Sequence, residues 1–350
     1  MTHSKFSHWE KRAACAVACA ALSLSTLGMS GCSKGETADG EPHIVLRMGI
    51  VDGETSPIYM GAKDIAENVE EKTDGKIEII VVTGGALGDE RGSVELCSQG
   101  DLDIATAANS VLTNWIPEMN ILDQAYLWET EEQAHGAVDG PVGELIEREA
   151  EETLGVHVVG YLESGFRDTF STRPIQSISD FRGIKIRTMQ NPYHMAAFQS
   201  FGAMPTAMAY NEVFTALQQG TIDAAENAVS NCLSNGYYEV TKNVTMTHHA
   251  FTYIPVMVSD KAWNKIPDDL KEPFLEGVRE GCLAERDYLK KTNEEAIDIL
   301  KEKGVSFYEV DLEEFKNSYK KQAEKEGFTF DPEWQAAVDE VLAEYPAEGE

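Results

Sequence analysis

The residues with the most chemistry to offer lie in Gly183-Ile184-Lys185-Ile186-Arg187-Thr188. On a strand, the two isoleucines share one face and Lys185 and Arg187 the other. Arg187 then falls at the carboxyl end, the edge from which α/β sheets present ligands. A planar guanidinium there can grip a carboxylate through two parallel hydrogen bonds. Gln190, Asn191 and Pro192 follow at once. Asn191 suits a helix N-cap and Pro192 the first helical position, which brings backbone donors to the same spot. The chemistry suggested is capture of a small organic anion. Catalytic signatures are missing: there is no G-x-S-x-G elbow, no H-E-x-x-H, no Walker A loop and no G-x-G-x-x-G after the first strand. His248-His249 offers two imidazoles, but neighbours on a strand point to opposite faces, so one face receives a single ligand and no metal site is expected.

The elements that must position these residues alternate between strand and helix patterns, which predicts an α/β architecture with mostly parallel sheets. Ile44 to Val51 reads as the first strand. Ser56 offers an N-cap and Pro57 a first helical residue, with Ile58, Ala62, Ile65 and Val69 at helical spacing until Asp74-Gly75. Ile77 to Val82 completes a β-α-β opening. Val156 to Tyr161, Phe166 to Ser171, Ile184 to Thr188 and Phe251 to Val258 are further strand candidates. Gln99-Gly100-Asp101-Leu102-Asp103-Ile104-Ala105 is echoed by Gln219-Gly220-Thr221-Ile222-Asp223-Ala224-Ala225. Each copy reads as helix, glycine stop and strand, which predicts two similarly built lobes with a ligand cleft between them. Pro267 to about Lys303 reads as one long helix bracing both lobes, or as two helices broken near Gly281. Asp311 to Glu350 is acidic and helical in character.

With 350 residues the chain is long enough for about two domains. Its 29 Lys and Arg against 60 Asp and Glu give a net charge of −31, which argues against nucleic-acid partners. An anionic ligand must therefore be held by specific arginines. Lys5, Lys11 and Arg12 precede an apolar run from Ala13 to Met29, the pattern of a secretory leader. Met29-Ser30-Gly31-Cys32 is similar to the bacterial lipobox, with Met29 where leucine is usual. A leader over 1–31, lipidation at Cys32, a polar tether over 32–42 and an extracytoplasmic, membrane-anchored protein are expected. Cys97, Cys232 and Cys282 lack metal spacing and are expected as buried free thiols.

The stretch from Gly183 to Asn227 carries a resemblance. Gly202-Ala203-Met204-Pro205, Glu212 to Gly220 and Asp223-Ala224-Ala225-Glu226-Asn227 resemble the extracytoplasmic solute-binding proteins of tripartite ATP-independent periplasmic (TRAP) transporters, the DctP family. Leu87-Gly88-Asp89-Glu90-Arg91, the Gly100 to Asp103 turn, Pro117-Glu118 and Tyr126-Leu127-Trp128 fall in the order that family shows. The resemblance implies that Arg187 forms the main salt bridge to the ligand carboxylate and that Arg167 is a second arginine on the neighbouring strand. It implies that Asn227 completes the clamp and orients Arg187, that Tyr210 packs on the ligand, and that Asn109 and Glu90 face it from the first lobe. Ala224, Ala225, Ala228 and Ala125 depart from the residues common in the family.

The expectation is a two-lobe, type II-like periplasmic-binding-protein fold, with lobe I at 43–164 and 253–292 and lobe II at 165–252 and 293–350. It would bind a small organic acid without cofactor, metal or bond-making step, and deliver it to small and large TRAP membrane subunits for ion-gradient-driven uptake. A sugar acid, keto acid, dicarboxylate or aromatic acid remains open, with Gln190 and Asn191 suited to sugar hydroxyls. A receptor for an ABC-type importer, a chemosensory receptor and an extracytoplasmic hydrolase are the alternatives.

Overall fold

The computed structural model describes residues 35–36 and 42–347; the expected leader and Cys32 lie outside the described residues. The strands, in chain order, are β1 Gly35–Glu36, β2 Pro42–Gly49, β3 Ile77–Val82, β4 Ile104–Thr106, β5 Val156–Phe166, β6 Asp168–Ser171, β7 Lys185–Thr188, β8 Met204–Ala207, β9 Ala224–Asn227, β10 Asn243–Met246, β11 Phe251–Ser259 and β12 Ser306–Glu309. They form two six-stranded sheets, β1-β2-β4-β11-β5 with β3 also on β2, and β12-β10-β6-β9-β7-β8.

The opening unit follows from local chemistry. Ser56 Oγ accepts the Tyr59 N–H, Pro57 starts the helix Pro57–Lys72, and Ile58, Ala62, Ile65 and Val69 form its buried face. Asp74 and Gly75, at φ 52° and 75°, turn the chain into β3, which runs parallel to β2. The sequence echo marks equivalent places in the two sheets. Gln99 and Gln219 cap the helices Glu90–Ser98 and Val213–Gln218. Gly100 and Gly220 take φ values of 72° and 68°, where a β-carbon is strained, and β4 and β9 follow.

The sheets are mixed rather than mostly parallel. The chain leaves the first sheet along β5, passes through Arg167 into β6, and returns through His248 and His249 from β10 to β11. These two paths are antiparallel in both sheets. The Arg167 N–H donates to the Ala250 carbonyl, and the His249 N–H to the Arg167 carbonyl, so the crossings are bonded to each other.

Each sheet has its own apolar core. Leu46, Met48, Ile104 and Val256 belong to the first. The second sheet is covered on one side by Phe170, Val213 and Val244 and on the other by Ile184, Ile186 and Phe198. Helix Asp268–Glu302 is one continuous 35-residue element with no break at Gly281. It places Phe274 and Val278 in the first core and Ala296 and Leu300 in the second, so it braces both. The assignment of 293–350 to the second lobe needs correction: helix Pro332–Glu344 lies on the first core, because Trp334, Val338 and Val341 bury their side chains there. Cys97, Cys232 and Cys282 are buried and free, and burial pushes each thiol up to about 12. Among the described residues no helix is long and apolar enough to cross a membrane.

The long helix and helix Pro57–Lys72 approach backbone to backbone at glycines. A β-carbon on Gly277 would lie 2.7 Å from Val69 N, and one on Gly281 2.5 Å from Ile65 N. Helix propensity alone favours Gly281→Ala by about 1 kcal/mol. The contact predicts the opposite sign: Gly281→Ala lowers stability by about 1–3 kcal/mol in urea unfolding.

Candidate functional site

A narrow cleft lies between the two sheets, beside the strand crossings. Val51 and Asp52 reach it from the loop after β2, Glu90 from the first turn of helix Glu90–Ser98, and Ser164 from β5. Arg167 comes from the crossing, Arg187 from the carboxyl end of β7, Tyr210 from the loop after β8, and Asn227 from β9. Arg187 thus sits near the carboxyl end of its strand, as the strand rule requires, whereas Arg167 precedes the first residue of β6. Lys185, two residues before Arg187, is exposed.

Arg187 is almost wholly buried, at 3% exposure. Its Nε donates to the Met208 carbonyl at 3.0 Å and its Nη1 lies 3.5 Å from Glu226 Oε1, while Nη2 has no protein partner among the described residues. Arg167 is bound far more completely. Its Nε donates to Glu226 Oε2 at 2.5 Å, Nη2 to the Glu226 carbonyl at 2.7 Å, and Nη1 to Asn227 Oδ1 at 3.0 Å. His249 Nε2 sits 3.2 Å from Glu226 Oε2, and its Nδ1 3.0 Å from the Thr247 hydroxyl. Burial holds His249 down at about 4, against the pull of Glu226, so the ring is neutral at neutral pH, with Nε2–H donating to the carboxylate. Burial would raise the Glu226 carboxyl, but Arg167 and the hydrogen bonds from His249 and Arg167 hold it well below the usual carboxylate range.

Asn227 does not orient Arg187. Its Oδ1 accepts from Ser164, Arg167, Asn231 and its neighbour Ala228, so it fixes the second arginine instead. The group beside Arg187 is Glu226. On the facing wall, Glu90 Oε1 accepts the Ala108 N–H at 2.7 Å, and burial raises its carboxyl above the ordinary range. The Tyr210 hydroxyl donates to Asp52 Oδ1 at 3.1 Å and accepts from Asn235 at 2.7 Å, joining the two sheet bodies across the cleft. Burial, with the Glu90 charge next, pushes the Asp52 carboxyl up to about 7.

The structure brings Arg187, Arg167, Asn227, Tyr210 and Glu90 together, and leaves three expected residues outside. Asn191 caps helix Pro192–Ser200 through the Tyr193 N–H and gives its amide hydrogens to Asp123, Asn120 and Thr113. Asn109 is fully buried, donating to Asp123 and accepting from the Tyr253 N–H. Neither lines the cleft, because both are committed to Asp123. Gln190 is exposed at the rim of a neighbouring cavity that shares Arg187, Glu90 and Tyr210.

Asp52, Glu226, His249 and Ser164 were missed. Asp52 follows a strand-like run at its carboxyl end, the rule that selected Arg187, and Glu226 stands beside Asn227 in the quoted motif. His248 and His249 do point apart: His249 is buried on Glu226, whereas His248 is half-exposed beside Asp168 at 3.3 Å. Donor atoms of His194, Glu226 and His249 lie within 4.8 Å of one another. Asp123 and Arg167 already hold these atoms, and the guanidiniums repel a cation, so the cluster fits a hydrogen-bond network better than a metal cage. A wider groove lies between Glu147, Glu151 and the long helix, where Arg286 is paired with Asp139.

Two mixed sheets joined by two crossings, with a buried polar cleft between them, define a two-lobe α/β fold. Residues 48–327 match the model of bacterial extracellular solute-binding protein, family 7, known as DctP, and the chain belongs to that family, the solute-binding proteins of TRAP transporters, which act outside the cytoplasm. A solute-binding protein of Verminephrobacter eiseniae is 32% identical over 263 residues, 75% of this chain and 78% of that one. A TRAP periplasmic solute-binding protein from Polaromonas sp. JS666, solved with D-erythronate, superposes with TM-score 0.80 at 29% identity, covering 87% of this chain and 100% of the other. One from Citrobacter koseri, solved with D-glucuronate, gives 0.79 at 27% identity, covering 85% and 98%.

Glu226→Gln leaves Arg167 buried against a neutral partner, which lowers stability by about 3–5 kcal/mol at neutral pH in urea unfolding. The native carboxyl titrates below its unfolded value, so its contribution is present above the usual carboxylate range and lost on acidification. The gap between variant and wild type accordingly narrows towards acid pH.

Proposed function

We propose that this receptor captures a polyhydroxylated monocarboxylate, a sugar acid, with Arg187 receiving the carboxylate. The observation that carries the reading is the pairing of one incompletely bonded, buried guanidinium with a polar opposite wall of Asp52, Glu90 and Ser164. Arg167 is neutralised by Glu226, so one arginine charge is left for one carboxylate. A second carboxylate would meet Glu90 and Asp52, which disfavours dicarboxylates, and aromatic acids would leave those buried acceptors unpaired. Hydroxyl groups satisfy them. D-erythronate and D-glucuronate in the related structures are acids of this kind.

In this reading no bond is made or broken. The lobes are 43–164 with 253–292 and helix Pro332–Glu344, against 165–252 with 293–331, and they close because the clamp and the Asp52 wall engage the same ligand together. The receptor then passes the acid to the membrane subunits of its transporter, driven by an ion gradient, while Cys32 carries the lipid that holds it at the membrane.

A thermal-shift series with D-erythronate, D-glucuronate, a dicarboxylate and an aromatic acid tests the ligand class. Stabilisation is expected from the sugar acids alone. Arg187→Ala weakens binding by about 2–5 kcal/mol and abolishes the shift, whereas Lys185→Ala preserves it. An unchanged shift in Arg187→Ala removes the clamp assignment. For the anchor, Cys32→Ser moves the protein from the detergent phase to the aqueous phase after export; an unaltered distribution refutes lipidation there.

A further inference from the structure

The charges around the cleft do not balance. Two guanidiniums, Arg167 and Arg187, stand against three carboxylates, Glu226, Glu90 and Asp52. Asp89 and Arg91, which line the adjoining cavity, carry opposite charges and leave that difference unchanged. His249 is neutral, burial raises the carboxyl of Glu285 on the long helix well above the ordinary carboxylate range, towards its neutral form, and burial raises the phenols of Tyr210 and Tyr237, which also face Asp52. With every carboxylate ionised, the walls carry one net negative charge, and a bound carboxylate makes two in a space whose charged side chains are largely buried. Charge left uncompensated at low dielectric is relieved by protonation.

Geometry selects the proton acceptor. Glu226 is held by Arg167, Arg187 and His249. Glu90 accepts the Ala108 N–H, and both arginines favour its charged form. Asp52 has the Tyr210 hydroxyl on Oδ1 as its only side-chain donor among the described residues, and Glu90 beside it. Resting on the sugar-acid reading, we propose that closure on the ligand takes up one proton from solution and that Asp52 holds it, so the receptor loads acid and proton together.

Burial and Glu90 already push Asp52 up to about 7 before any ligand charge is added, against 3.8 for an ordinary aspartate. A ligand carboxylate raises it further, whereas an open, water-filled cleft returns it towards the ordinary value. Between those limits, binding takes up close to one proton, so affinity falls by about tenfold per pH unit as pH rises.

Calorimetric titration of the full chain with D-glucuronate and D-erythronate, in buffers of different ionisation heat from about pH 6 to 8, measures the proton count directly. Uptake near one per ligand in wild type, with Asp52→Asn binding at a nearly pH-independent affinity and no uptake, supports the proposal. Binding without uptake overturns it while leaving the sugar-acid reading intact. Uptake that survives in Asp52→Asn and disappears in Glu90→Gln overturns the assignment to Asp52. If neither acid binds to wild type or variants, the sugar-acid reading and the proton proposal both fail.

Discussion

The carboxylate of Glu226 is the point on which the cleft depends. It is completely buried, receives Arg167 and His249 on one oxygen, and stands beside Arg187 on the other. Without it, the two buried guanidiniums would repel each other in a medium that screens poorly. With it, Arg167 is fixed by four side-chain hydrogen bonds, two to Glu226, one to Asn227 and one to Thr252, while Arg187 keeps Nη2 without a protein partner among the described residues. The clamp thus has one arginine that is structural and one that is available.

Arg167 is also the residue at which the chain passes from one sheet to the other. Its backbone bonds to Ala250 and His249 on the returning path, and its side chain bonds to Glu226 and Asn227 of the second sheet. Any bend between the sheets is therefore felt at the clamp without an intervening relay. His249 repeats the arrangement from the other crossing. The same short segments serve as connection and as site wall, which explains why polar residues are buried where an ordinary sheet junction would be apolar.

Much of this was legible in the sequence because it is written in local patterns. Ser56-Pro57, the spacing of Ile58, Ala62, Ile65 and Val69, and the glycine stops at Gly100 and Gly220 determine elements through nearest neighbours. Arg187 was legible because its face and its strand end follow from alternation. Asn191 and Asn109 were not, since their partner Asp123 is distant in sequence and only the fold brings the three together. Asn191 was correctly read as a cap, and that role, with its tie to Asp123, turns it away from the cleft. Asp52 was hidden among many carboxylates, where type alone carries little information. The final helix was misplaced because an amphipathic pattern says which face is buried but not which core receives it.

The contacts between the two sheet bodies are unequal. Around Asp123, which lies in a turn on the first core, Asn191 and His194 arrive from helix Pro192–Ser200 of the second, and Asn109 and Ser110 complete the carboxylate's bonds from its own side. Every member of that cluster is buried. At the Tyr210 loop, one hydroxyl meets Asp52. Separating the Asp123 cluster would take the Asn191 amide and the His194 ring from the carboxylate, at about 1–3 kcal/mol for each buried group. Separating Tyr210 from Asp52 exposes both to water, which replaces the lost bond. The Asp52 side is thus the more weakly held of the two, and Arg187 lies on it.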